Sequence, residues 1–362
     1  MKVSIAITDI SILLPFADSV SDLWSHMQGN NTLDEKQQVY KINNFTPQKY
    51  LGKNGFKYYT QVTRYLISSI LPLFERNEEF FDSEKFGIVA GTTHSAVEDW
   101  GVLAERVIEG GSEAISPMET FNFSMNIPAS TASIRTGAKA FNITLSSGSG
   151  AGYDAIGFAC DNILLNNAEK VLACGFEVVG DVVIKSLFDY FLQFNMPFGV
   201  PVGEGSAVLL LQSSEHLEQT PLGVITAYNT GFISKSTSNK DFIFSEMVQA
   251  TLNDSSISSK DIDLIISGNV GKNNSESNTI LQLSNNNIPI STFKEVLCES
   301  FSVSNIIHIV LACLALEGKY ITSTLELFKK NNEQASNNSS IKNILITYEG
   351  DDGFIFSTII TK

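Results

Sequence analysis

Apolar and polar positions change period along the chain in a way that alternates strands with helices. Near the start, Val3, Ile5 and Ile7 alternate with polar neighbours until Asp9 interrupts, the two-residue period of a buried strand. Ser21–Gln28 (SDLWSHMQ), with a polar start at Asp18–Asp22, and Tyr59–Phe74 space their apolar residues three and four apart, as helices do. FGIVAG (Phe86–Gly91) is a short apolar run stopped by glycine, and Trp100–Gly111 predicts a helix with a glycine stop. A small-residue helix over Ser130–Ala140, a strand at Asn142–Ser146, a helix over Tyr153–Leu165 and a strand in Lys170–Gly180 follow. Val200–Gln212 reads as a turn and another strand. From Gly223 the theme repeats: strand Val224–Gly231, helix Phe244–Asn253, strand Ile262–Gly268, apolar helix Ile306–Leu316, and closing strands Asn343–Gly350 and Gly353–Thr361. The pattern predicts α/β layers. FGIVAGTT beside LIISGNVG points to a weak internal duplication, with halves at 1–222 and 223–362 forming one integrated unit. The Asn/Ser/Lys-rich stretches Gly271–Asn278 and Asn331–Asn343 are expected to be exposed, mobile loops.

Composition narrows the class. The chain has 362 residues, 39 acidic against 24 basic, for a net charge of −15. Such a surface repels nucleic acid, and no long basic run offsets it. No apolar run reaches the ~18 residues of a membrane helix, so membrane insertion is not expected. The N-terminal stretch reads as a strand rather than a signal peptide, which makes the cytoplasm the default location. Cys160, Cys174, Cys298 and Cys313 sit in or beside apolar elements without a CxxC or Cys/His cluster. They read as small buried hydrophobes, and neither a metal nor a cofactor is expected. In Met118–Ala129, Phe121, Phe123 and Met125 recur at strand-like alternation; Phe188, Phe191 and Phe194 cluster with Tyr190.

The stretch TLSSGSGAG (Thr144–Gly152) joins a strand to a helix by a sharp, glycine-rich bend. That geometry presents Ser149 at a helix N-terminus, where the dipole favours a developing anion. Gly148 and Gly150 read as structural, serving the turn and close helix packing. GSGAG also spells GxGxG, but the dinucleotide fingerprint needs its third glycine one step later. A serine nucleophile needs an adjacent base, and the chain has only His26, His94, His216 and His308.

Several stretches together resemble the β-ketoacyl-ACP synthases with a Cys-His-His site. Ser133–Ile156 (SIRTGAKAFNITLSSGSGAGYDAI) is similar to the family's SIRTGAKGPNxTVxTACATGxxAI. Pro201–Leu217 resembles the GEGAGVLVLE segment and keeps Glu204 between two glycines. Ala168–Gly180 resembles the ADVMLAGGAE strand, and Lys294–Leu316 mirrors KSxxGHxxGAAG and its helix without a gap. The resemblance covers nearly the whole chain. It implies a duplicated thiolase-like fold of five layers, αβαβα, with two mixed sheets.

It also implies a lost site. Ser149 stands at the place of the nucleophilic cysteine, Gly268 at the first histidine and Glu299 at the second; of the catalytic set only Lys294 is retained. The GFGGTN gating loop is replaced by YEGDDG (Tyr348–Gly353), with three carboxylates. The second histidine's helix carries His308 where the family has the lysine's glutamate partner, so Glu299 is expected to pair with Lys294 instead. No working catalytic residue is therefore expected. This combination resembles a chain length factor, the non-condensing partner of an active ketosynthase in type II polyketide or aryl polyene assembly, although those usually carry Gln at the nucleophile position. The resemblance implies a heterodimer with an active ketosynthase and an acyl carrier protein engaged mainly through that partner. It makes Phe121, Phe123, Met125, Phe191 and Phe194 candidates for the tunnel or interface. The alternative is an acyltransferase or thioesterase that depends on Ser149 and acts on acyl-carrier-protein thioesters.

Overall fold

The computed structural model describes residues 4–29, 33–34, 37–52, 56–78, 81–117, 119–193, 201–217, 219–268, 274–283, 288–293, 296–319 and 341–362. In chain order the elements are β1 (Ile5–Leu13), α1 (Val20–Gln28), β2 (Val39–Tyr40), α2 (Gln48–Leu51), α3 (Gln61–Asn77), β3 (Phe86–Gly91), α4 (Val97–Gly110), α5 (Ile127–Thr136), β4 (Phe141–Leu145), α6 (Ala151–Leu164) and β5 (Lys170–Glu177). They continue with α7 (Asp181–Gln193), β6 (Val202–Gly203), β7 (Gly205–Ser213), β8 (Gly223–Phe232), α8 (Lys240–Ser255), β9 (Leu264–Ser267), α9 (Ser275–Leu283), β10 (Ile290–Ser291), α10 (Ser302–Leu316), β11 (Asn343–Glu349) and β12 (Phe354–Thr361).

Ten strands run in the order β10-β9-β11-β12-β8-β1-β7-β5-β3-β4. This order is one five-strand pattern written twice: β4-β3-β5-β7-β1 and β10-β9-β11-β12-β8. The strand senses match as well. β3 runs parallel to β4 and β5, and β9 to β10 and β11. β7 is antiparallel to β5 and β1, and β12 to β11 and β8. Among the described residues, the two mixed five-strand units pair strand to strand only through Ile5–Ile7 of β1 against Gly223–Ile225 of β8.

The packing of helices on these units makes five layers. α3 and α5 cover one unit, with Leu66, Ile67, Ile70, Ala129 and Ala132 against Ile88, Leu172 and Val208. α8 and α9 cover the other, with Phe244, Val248 and Ile280 against Ile265, Leu345 and Ile359. Between the units lie α6 and α10, whose Ile156, Ile306 and Val310 share one core with Leu209 and Ile346. α10 is buried on every face, as a helix with lipid-like composition must be when it sits between two sheets. The apolar run Ile306–Leu316 is thus a central-layer helix, and no described helix is long and apolar enough to cross a membrane.

Two local expectations are corrected. Phe121, Phe123 and Met125 do not lie on a strand: Thr120–Phe123 is a tight 3₁₀ turn, and α5 starts two residues after Met125. Pro128 at the first turn of α5 fixes a helical φ where its missing N–H costs nothing, which overrides the short apolar alternation. Nor is the end of Gly271–Asn278 an exposed loop. α9 begins at Ser275, and Ser275, Glu276 and Ser277 are buried. Glu276 can be buried because its carboxylate accepts from Ser267 Oγ (2.8 Å), Thr347 Oγ1 (2.7 Å) and Glu349 N (3.1 Å). The stretch 331–340 lies outside the described residues.

Candidate functional site

The duplicated topology puts the heads of α6 and α10 side by side in the central layer, and Ser149, Gly268 and Glu299 lie there. Ser149 sits in the 3₁₀ turn Gly148–Gly150 that leads from β4 into α6. Gly148 has φ +83°, a conformation that side chains disfavour, and a Cβ there would lie 2.4 Å from Asp352 Oδ2. A Cβ on Gly150 would lie 2.1 Å from the Phe354 ring. Thr93 Oγ1 ties the bend by donating to Gly148 O at 3.0 Å. One turn on, Gly152 lets α6 meet α10: its amide donates to Asn305 Oδ1 (3.1 Å), and a Cβ would lie 2.2 Å from Ser302 O.

Ser149 does not point at an imidazole. Its hydroxyl donates to Asp352 Oδ1 (2.7 Å) and its backbone amide to Asp352 Oδ2 (2.8 Å). Phe354 N also donates to Asp352 Oδ1, at 3.2 Å. Asp352 lies in the turn between β11 and β12, held by Gly353 N donating to Gly350 O (2.9 Å). A carboxylate thus sits in the anion-accepting position at the head of a helix. Burial first, then the charge of Glu299, pushes the nearby Tyr348 phenol well above its ordinary range.

The space beside Gly268 is filled. A Cβ on Gly268 would lie 2.7 Å from Tyr348 Cδ2 and 2.9 Å from His308 Cε1. His308 is buried and its Nδ1 bonds the Tyr153 hydroxyl at 2.6 Å. Tyr153 stacks on Phe356 with ring centroids 4.0 Å apart. Burial leads the rise of the Tyr153 phenol above its ordinary range, followed by the charges of Tyr348, Glu276 and Glu299.

Glu299 lies at the head of α10. Its Oε1 accepts from Phe301 N at 2.7 Å, and its backbone bonds Pro201 and Gly203. Phe301 has φ +51°, which for a bulky residue costs on the order of 1–3 kcal/mol. The Glu299 carboxylate therefore steadies a strained helix entry. Lys294, and with it the expected Lys294–Glu299 pair, lies outside the described residues.

Of the other expected positions, Glu204 is buried and accepts from Tyr65 Oη (2.7 Å), Ile42 N (2.9 Å) and Val179 N (3.3 Å), joining three segments. Phe121 is exposed and Met125 half-buried. The side chains of Phe123 and Phe191, and all of Phe194, lie outside the described residues. All four cysteines are buried free thiols, and burial pushes the Cys298 thiol up to about 12. A signal for Asp352 was present in the acidic YEGDDG turn, but nothing in it singled out one of the three carboxylates. Tyr153 and Tyr348 carried no such signal.

Residues 74–216 match the model of the family described as β-ketoacyl synthase, N-terminal domain. The match spans less than half of the chain. A 147-residue stretch is 33% identical to the putative mitochondrial 3-oxoacyl-[acyl-carrier-protein] synthase of Schizosaccharomyces pombe (strain 972 / ATCC 24843), covering 36% of this chain and 34% of that protein. Solved structures align over 100% of both chains. They include the ishigamide ketosynthase/chain length factor (TM-score 0.86, 15% identity) and a type II PKS acyl-carrier protein in complex with its ketosynthase bound to the hexaketide, AntDE:AntF (0.82, 16%). A β-ketoacyl synthase from Burkholderia phymatum STM815 aligns with a TM-score of 0.80 and 15% identity. The matched stretch, which carries Ser149, is therefore set in the thiolase-like ketosynthase fold. Gly268, Glu299 and Asp352 fall outside the matched stretch, in the second half of the duplicated fold.

Proposed function

We propose that the chain is a non-condensing ketosynthase-like subunit, with halves dividing at 222/223. In this reading it pairs with an active β-ketoacyl synthase and shapes the tunnel that sets product length in polyketide or polyene assembly, as a chain length factor does. The observation that carries the reading is the clamp of Asp352 on Ser149. Condensation needs a nucleophile and a hole for the developing oxyanion. Here the Ser149 amide already binds a carboxylate, the hydroxyl is spent on the same group, and Tyr348 and His308 fill the space at Gly268.

The reading as a partner subunit is supported by surface and charge. β4 ends the sheet among the described residues, and Ile134 on α5, which packs against β4, and Phe121 in the turn before α5 are exposed. Unpaired edges and exposed apolar groups of this kind suit cover by a second chain. Asp351 and Asp352 make the mouth of the site acidic, which disfavours direct docking of an acidic carrier protein and leaves that task to the partner.

The test is co-expression with a cysteine-bearing ketosynthase followed by reconstitution with acyl carrier protein and malonyl thioester. A stable mixed dimer is expected, with product formation unchanged by Ser149→Ala and abolished by loss of the partner's cysteine. Phe121→Ala is expected to change product length. Condensation by this chain alone, lost in Ser149→Ala, would overturn the reading.

A further inference from the structure

A cavity of about 430 Å³ opens where β1 parts from β8, far along the chain from Ser149. β1 pairs with β8 only through Ile5–Ile7, so the stretch from Asp9 to Ile12 forms one wall. Ser19 and Ser21 at the head of α1, one side of α3 and the end of α10 close the others. This size suits a small organic molecule.

The charges around it are already matched. Arg76 Nη2 donates to Asp9 Oδ1 (3.0 Å), and Asn77 Nδ2 to Asp9 Oδ2 (2.7 Å). Lys49 and Tyr50 both donate to Asp18 Oδ2, the latter at 2.8 Å. Lys319 Nζ lies 3.1 Å from Glu317 Oε2. A charged ligand would have to break one of these pairs.

The unmet demand is for hydrogen bonds. Ser68 lines the cavity at 2% exposure, and its Oγ has no partner. Four residues on stands Pro72, inside α3. Proline has no N–H, so the Ser68 carbonyl also loses its ordinary helical donor. One site thus offers a hydroxyl and a carbonyl together, and a buried polar group left unmatched costs about 1–3 kcal/mol. A hydroxyl answers both, donating to the carbonyl and accepting from the serine. The opposite wall, with Val310 and Leu314, is apolar and suits the C–H face of a ring.

We propose that this cavity binds a small uncharged polyol of about monosaccharide size, with one hydroxyl on Ser68. The experiment is saturation-transfer NMR and calorimetric titration of the full chain with myo-inositol, D-glucose and glycerol, against 1,4-diaminobutane and citrate. Saturable binding of at least one polyol is expected, weakened tenfold or more by Ser68→Ala. Ser21→Trp, a change at the exposed rim, is expected to block it while leaving circular dichroism unchanged. The proposal is overturned if none of the three polyols binds, if either charged probe binds more tightly, or if the polyol affinity survives either substitution.

Discussion

At the scale of single residues, the site is defined by what occupies it. Asp352 places a negative charge where a reactive group at position 149 would develop its own. A thiolate beside a carboxylate is penalised by like-charge repulsion, which raises its pKa and lowers its reactive fraction. Ser149→Cys is therefore expected to react slowly with iodoacetamide, and Ser149→Cys combined with Asp352→Ala at least tenfold faster, both read by intact mass. Equal rates would show that Asp352 is no barrier. Gly268 is a second such residue. Its missing Cβ is the space that Tyr348 and His308 use, so Gly268→Ala is an overpacking change. A loss of about 1–3 kcal/mol is expected, measured by urea unfolding. The expectation that Ser149 stands at a cysteine's place rests on the motif kept around it, Ser133–Ile156, whereas the one for Gly268 rests on the strand Ile262–Gly268 alone. The clamp was not legible in the sequence: Ser149 and Asp352 are 203 positions apart, and only the return of β12 past the head of α6 brings them together.

At the scale of elements, helix heads are held by carboxylates borrowed from neighbours. Glu98 in the first turn of α4 accepts from Val182 N (3.0 Å) and Val183 N (3.2 Å), capping α7 across a helix contact. This fixes a negative charge beside Asp99. Burial first, and then Glu98, raises the Asp99 carboxyl to about 6 from 3.8. The folded chain then holds this proton more tightly than the unfolded chain between those values. Its contribution is fully present below about pH 4 and is lost as pH rises towards 6. Asp99→Asn, which cannot ionise, is thus expected to gain on the parent between pH 4 and 6, by at most about 3 kcal/mol, in urea unfolding at pH 4, 5 and 7. A gain that does not grow with pH would contradict the assignment. Strands and central helices were legible because each is a long apolar run or a clean period. α9 was not, since a helix start rich in Ser, Glu and Asn looks like a loop until Ser267 and Thr347 are seen to meet its glutamate.

At the scale of the molecule, duplication and cohesion pull in different directions. The repeated strand order suggests two units that once folded alike, and the β1–β8 ladder joining them spans only three residue pairs. The core argues for one folding unit. A single cluster takes Ile12, Val171 and Leu209 from the first half, Leu264, Ile346 and Phe356 from the second, and both central helices. Either half alone would leave its share of that layer facing water, and each fully buried Leu or Ile side chain contributes about 1.5–3 kcal/mol. With a dozen or more such groups shared, the loss exceeds the 5–15 kcal/mol net stability of an ordinary domain. The halves are therefore expected to unfold together. Trp24 and Trp100 report on the first half, and Phe242→Trp, an exposed position 62% accessible on α8, in a Trp24→Phe/Trp100→Phe background reports on the second. Urea midpoints from the two proteins, each referenced to its own far-ultraviolet circular dichroism transition, are expected to coincide with that transition in both cases. A fluorescence midpoint that departs from the dichroism curve in either protein would mean that the short ladder, rather than the shared helical layer, governs how the halves are held.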